Sequence, residues 1–125
     1  MKINHNFIWF ELAVIYFVSG VALGIWMAAS GDHGLFPVHA HVNLLGWVSL
    51  SLMGLLYRQF PHLAATGLAT VHFWLYNLAL PVTFISLTLY LKGNVGIEPV
   101  LGAASSVVGV SVLLFAVNVL KNIRG

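Results

Sequence analysis

The sequence predicts an all-α membrane protein, a four-transmembrane-helix bundle with both termini on the cytoplasmic side (N-in/C-in), and three observations predict it. Of 125 residues, 60% are hydrophobic and only 6% charged, against about 25% charged in soluble domains. Four apolar stretches each approach or exceed the ~20 residues that cross a hydrocarbon core. Basic residues gather at one set of stretch ends. With a mean hydropathy of +0.96, the chain has no segment polar enough for a separate soluble domain, so residues 1–125 are read as a single transmembrane domain.

The first span is read over 8–29 and ends at the loop signal Ser30-Gly31-Asp32-His33-Gly34. Its apolar run exceeds the core of a secretory signal, so it is read as a retained helix. The second span, 38–57, follows Pro37 and stops at Arg58-Gln59-Phe60-Pro61. The third, 64–91, is long enough for tilt, with a kink expected at Pro81, and Lys92-Gly93-Asn94 closes it. The fourth, 99–120, starts at Pro99, a favoured first-turn residue, with Glu98 beside the positive helix end. Lys2, Arg58, Lys121 and Arg124 fall on one side and Lys92 on the other, which by the positive-inside rule sets the orientation. His33, His39 and His41 then lie at or near the outer face, His5 and His62 at the cytoplasmic edge, and His72 inside the third span. Small residues line one stripe of the first helix (Ser19, Gly20, Gly24) and one of the fourth (Gly102, Ser105, Ser106, Gly109). Such stripes serve close packing, within the bundle or between subunits.

The absence of cysteine excludes disulfides, thiolate metal sites and cysteine nucleophiles. No basic patch with interleaved aromatics points to nucleic acid. Histidine is the reactive residue that remains, six against eight fixed charges. The informative stretch is Pro37-Val38-His39-Ala40-His41-Val42-Asn43-Leu44-Leu45-Gly46-Trp47. Imidazoles at i and i+2 point about 200° apart on a helix, so His39 and His41 serve different surroundings. The His39 face continues through Asn43, Gly46, Leu50, Gly54 and Tyr57 and is small and polar. That of His41 continues through Leu45, Val48, Leu52 and Leu55 and is aliphatic. Periodicity therefore favours His39 as the inward ligand, with His41 turned to a neighbour, a second metal or a partner subunit. His72 needs a partner in low dielectric; as a purely structural residue it would bond Asn77 or a backbone carbonyl. Imidazoles suit haem iron and copper alike. A haem clamped by His72 and the His39/His41 pair within one chain is awkward, because the helix rise offsets them by about 12 Å. Met27, His33 or another subunit is the alternative source of a second ligand. His5 and His62 are read as interfacial side chains, and Glu11 as reaching the headgroups.

The pattern His39-Ala40-His41-Val42-Asn43-Leu44-Leu45-Gly46 resembles the haem-ligating second helix of haem–copper oxidase subunit I and the His-Ala-His motif of the NnrS family. Together with Gly31-Asp32-His33 before it and His72-Phe73-Trp74 after it, it makes the chain resemble small stand-alone subunit I-like (cytochrome-c-oxidase-like) membrane proteins. Pro37-Val38-His39 matches the proline-x-histidine form of the motif and His41-Val42-Asn43 the histidine-x-asparagine form. The later oxidase helices, with their copper site, have no counterpart here, so a full oxygen- or NO-reducing centre is not implied. The resemblance implies a haem b-binding protein of the bacterial inner membrane, with copper as a further metal, acting in electron transfer or diatomic gas binding. It implies a homo-oligomer in membrane lipid, served by a respiratory electron donor. His39, His41 and His72 would be the ligands, with Asn43 supporting them, Gly46 and Gly54 leaving room for a ring, and Trp47 and Tyr57 around it. The rival expectations are a copper-handling factor using His33, His39, His41 and Met27, and a non-catalytic accessory subunit of a respiratory complex.

Overall fold

A computed structural model describes residues 3–125, which are helical almost throughout and contain no strand. Lys2, counted above among the basic residues of one side, lies outside the described residues. The helices are α1 (Ile8–Ser30), α2 (Phe36–Gln59), a single turn α3 (Pro61–Ala64), α4 (Gly67–Leu91) and α5 (Glu98–Asn122), the last entered through a 3₁₀ turn over Val95–Ile97. Four helices are long and apolar enough to cross a membrane, as predicted. The start of α1, the end of α5 and the Phe60–Thr66 connection lie at one end, called here the termini end. The other two connections form the loop end.

The helix ends follow from local chemistry. Gly31 adopts φ 72°, a left-handed conformation that favours glycine, and its N–H donates to Met27 O, ending α1. The expected third span starts too early: Pro61–Ala64 is a separate turn, and α4 begins only at Gly67. Thr66 is extended there and its Oγ1 accepts from Ala69 N at 3.1 Å, an N-cap that defines a new helix start. Pro61 marks the stop of α2 in the sequence, whereas the start of α4 is set by the Thr66 cap.

α2 also departs from a uniform helix. It is α-helical over Phe36–His41, π-helical over Val42–Val48 and α-helical again over Ser49–Gln59. Ser49 N–H donates to Leu44 O, five residues back. When the four-residue repeat resumes after such a turn, one carbonyl is left without an amide partner. At this junction Tyr76 of α4 donates its hydroxyl to Leu45 O at 2.7 Å.

The spans pack as two hairpins, α1 on α2 and α4 on α5, while the backbone of α1 stays more than 8 Å from those of α4 and α5. Glycine permits the first contact. A Cβ on Gly46 would sit 2.6 Å from Tyr16 Cβ, and one on Gly54 2.6 Å from Trp9 Cβ. A Cβ on Gly20 would strike the Asn43 side chain and one on Gly24 the His39 ring, at 2.5 and 2.9 Å. The small-residue stripe of α1 therefore serves packing within the bundle. On α5, by contrast, nothing lies within 4 Å of a Cβ built on Gly102 or Gly109.

Between the hairpins the seam changes character along its length. Only the loop-end half of α2, before Ser49, comes within 8 Å of α4. At the termini end the backbones stand further apart, and Trp9, Tyr57, Phe73 and Tyr76 fill the space.

Candidate functional site

The histidines divide into two groups. At the termini end, His5 and His72 are buried, 5% and 0% exposed. Trp9 Nε1–H donates to His5 Nδ1 at 2.9 Å, one helical turn away in sequence, which puts the His5 proton on Nε2. Burial pushes the His5 pKa below its ordinary value and keeps the ring neutral. Tyr57 hydroxyl and His72 Nδ1 are 2.8 Å apart. The Trp9 indole stacks on the His72 ring with centroids 5.0 Å apart, and Phe115 covers the ring from α5 at 4.9 Å. Nε2 of His5 and Nε2 of His72 are both buried with no hydrogen-bond partner. Nearby, Asn118, fully buried, donates from Nδ2 to Leu63 O at 3.0 Å and fastens α5 to the α3 turn.

Two expectations are corrected here. His5 is an interior residue of the bundle, because the Trp9 indole folds it inward, and His62 alone stays at the edge, its Nε2 3.2 Å from Ile123 O. His72 takes Tyr57 as its partner, and Asn77 donates instead to Phe73 O one turn back on its own helix. A side chain five residues along the same helix points away from His72, whereas Tyr57 faces it across the seam.

At the loop end, His33, His39 and His41 each approach a backbone carbonyl through Nδ1: Gly31 O at 3.1 Å, Gly20 O at 2.9 Å and Pro37 O at 2.6 Å. A carbonyl only accepts, so each Nδ1 carries the proton and each Nε2 keeps a free lone pair. The surroundings then separate the three. His33 lies exposed in the loop. The His39 ring is wedged against Gly24 of α1, and Asn43 donates to His39 O at 2.8 Å while its side chain fits over Gly20. His39 is thus turned inward, as its helix face predicts, toward α1. His41 opens into a groove of about 350 Å³ between α2 and α5, floored by α4 and lined by Leu45, Thr83, Leu87, Leu101, Ser105 and Val108 beside it.

The remaining residues expected around a cofactor have other neighbours. Gly46 and Gly54 make room for Tyr16 and Trp9 instead of a foreign ring. Trp47 stacks on Phe17 of α1 at 4.4 Å, and Met27 is buried on α1. His72 shares no space with His41: its partner Tyr57 follows His41 along α2 by an axial rise of about 24 Å. Among the described residues, no three His, Cys, Asp or Glu side chains come together to hold a metal ion.

A haem therefore does not fit between His41 and His72 of one chain. Among the residues lining the groove, His41 is the one imidazole. His41 offers an oriented, unprotonated Nε2, and the groove wall is otherwise mostly aliphatic and of the size that binds small molecules, roughly 300–1,000 Å³. The fold and this groove define a four-span helical membrane protein with one imidazole facing an apolar slot. Comparison with protein-family models, with curated proteins and with solved structures returned no match.

Proposed function

We propose that the protein is a multi-pass haem b-binding protein of a bacterial inner membrane, in which His41 supplies an axial ligand from the groove between α2 and α5. The observation that carries this reading is the hydrogen bond from His41 Nδ1–H to Pro37 O at 2.6 Å, which fixes the tautomer and leaves the Nε2 lone pair of this groove-lining residue free. Metal-ligating histidines are held in this way. Leu45, Leu87, Leu101 and Val108 give the slot an apolar wall, and Ser105 gives it a polar edge.

When bound, the haem would supply one-electron exchange or an iron position open to a diatomic gas. This chain brings one imidazole, that of His41, to the groove, so any further protein ligand to the iron would come from another copy in a homo-oligomer. A respiratory donor fits the electron-transfer version. Arg58, Lys121 and Arg124 at the termini end against Lys92 at the loop end favour cytoplasmic termini and an exoplasmic groove.

The test is the absorption spectrum of protein purified from a haem-replete host, oxidised and reduced, with metal analysis. A Soret band lost in His41→Ala and kept in His72→Ala is the expected result. A colourless protein that takes up no added haem overturns the reading, and copper retained without iron replaces it with the copper-handling one.

A further inference from the structure

The groove residue His41 immediately precedes the π-helical segment of α2, and that segment is held from outside the helix. Along a regular helix each residue turns the face by about 100°. A π turn takes in an extra residue, so the halves of α2 on either side of Val42–Val48 carry faces whose relative rotation differs from that of a continuous α-helix. His39 and His41 lie on one side of it, and Leu50, Gly54 and Tyr57 on the other. Whether His39 meets Gly20 and Gly24, and whether His41 meets the groove, is therefore decided within these seven residues.

A π segment in hydrocarbon needs its displaced carbonyls satisfied, because no water is there to serve them. Tyr76, fully buried on α4, does this by donating to Leu45 O at 2.7 Å, while Ser49 Oγ adds a second donor at 2.7 Å to Leu44 O, which already accepts Ser49 N–H. Ser49 acts within α2, while Tyr76 acts from the other hairpin and so ties the helical register of α2 to its contact with α4.

We propose that Tyr76 is a positioning residue for His41: its hydroxyl latches α2 in the π register and so aims the His41 imidazole into the groove. The role assigned to that aim rests on the haem reading above, while the latch itself does not. Tyr76 does not itself line the groove; it reaches the lining residue Leu45 through that residue's backbone carbonyl. Its ring packs in the core at the termini side of the seam, 5.8 Å from His72 between centroids.

The chain has no native cysteine, which makes thiol pairs clean reporters. His41→Cys with Leu101→Cys spans the groove, and His62→Cys with Ile123→Cys spans the far end, where His62 already meets Ile123 O. In membranes, a short bis-maleimide should join both pairs in the parent protein. In Tyr76→Phe, the groove pair should fall by roughly tenfold, the equilibrium shift that one buried hydrogen bond supports, with the far pair unchanged. An unchanged groove pair overturns the latch. A fall in both pairs also overturns it, because the hydroxyl would then be holding the bundle as a whole and not the π register of α2. In the His41-containing protein, Tyr76→Phe should also alter the Soret position or haem retention. Loss of the groove cross-link in a protein that never binds haem would sink the haem reading and leave the latch standing.

Discussion

The two halves of the seam between the hairpins solve opposite problems. At the termini end the backbones are far apart, and the gap is closed by aromatic bulk and by the hydrogen bond of Tyr57 to His72 across it, with Trp9 to His5 and Asn118 to Leu63 O fastening the elements on either side. At the loop end α2 approaches α4 closely, yet α5 stands off, and His41 faces the space left between. Histidine occurs in both halves with different consequences. Where its ring is enclosed by Trp9, Tyr57 and Phe115 it is part of the core; where Nδ1 is tied to a carbonyl and Nε2 faces open space it is available as a donor.

The comparison breaks most readily at Trp9. It is fully buried, fills the notch over Gly54, stacks on His72 and donates to His5. Trp9→Ala should destabilise the bundle by about 3–5 kcal/mol, read as a lowered thermal midpoint in detergent. If that variant melts like the parent, the termini end is not the structural half. Next in size is Tyr57→Phe, which keeps the ring and strips His72 Nδ1 of its partner. A buried polar atom left unsatisfied costs about 1–3 kcal/mol, and the same thermal measurement reads it.

A pH effect of smaller size belongs to the same half. The folded-state pKa of His5 is depressed by burial, so the unfolded chain binds a proton more readily. The stability associated with neutral His5 is present above the unfolded value of 6.5 and is lost as pH falls below it toward the folded pKa. The slope attributable to one such group is at most about 1.4 kcal/mol per pH unit. Thermal midpoints should therefore decline on acidification from pH 6.5, and His5→Gln should flatten the decline. An equal decline in the variant would assign the effect elsewhere.

Much of this architecture was legible in the chain because a bilayer makes length and hydropathy decisive. Any helix of sufficient apolar length is a span, and the helix ends are marked by Gly31, Pro61 and Gly93. The faces of α2 were legible too: Gly46, Leu50, Gly54 and Tyr57 are buried and His41, Val48, Leu52 and Leu55 exposed, as the periodicity predicts. What escaped depends on neighbours that periodicity does not name. Leu45 O needs a hydroxyl from α4, and no rule of local sequence places a π turn at Val42–Val48. Tyr57 and His72 meet only once the hairpins are docked. One signal was available and unused: His5 and Trp9 stand four apart, the spacing at which side chains on a helical turn meet, and that pair is what draws the N-terminal segment into the core.

The smallest stability effect should come from the loop end, and it discriminates best between the halves. His41 is exposed toward the groove, its only hydrogen bond is to a carbonyl in its own helix, and no aromatic ring stacks on it. Removing it leaves Pro37 O in the ordinary situation of a first-turn helix carbonyl, which finds its amide four residues on. His41→Ala should therefore change the thermal midpoint by no more than about 0.5 kcal/mol equivalent, the range of substitutions away from packed features. In the same variant the Soret band should disappear. His72→Ala should do the reverse, lowering the midpoint by emptying the space between Trp9 and Phe115 while the pigment survives in whatever protein remains folded. A stabilising role for His41 matched by a dispensable His72 would invert the assignment, because the imidazole whose loss unfolds the bundle is the one the fold itself is using.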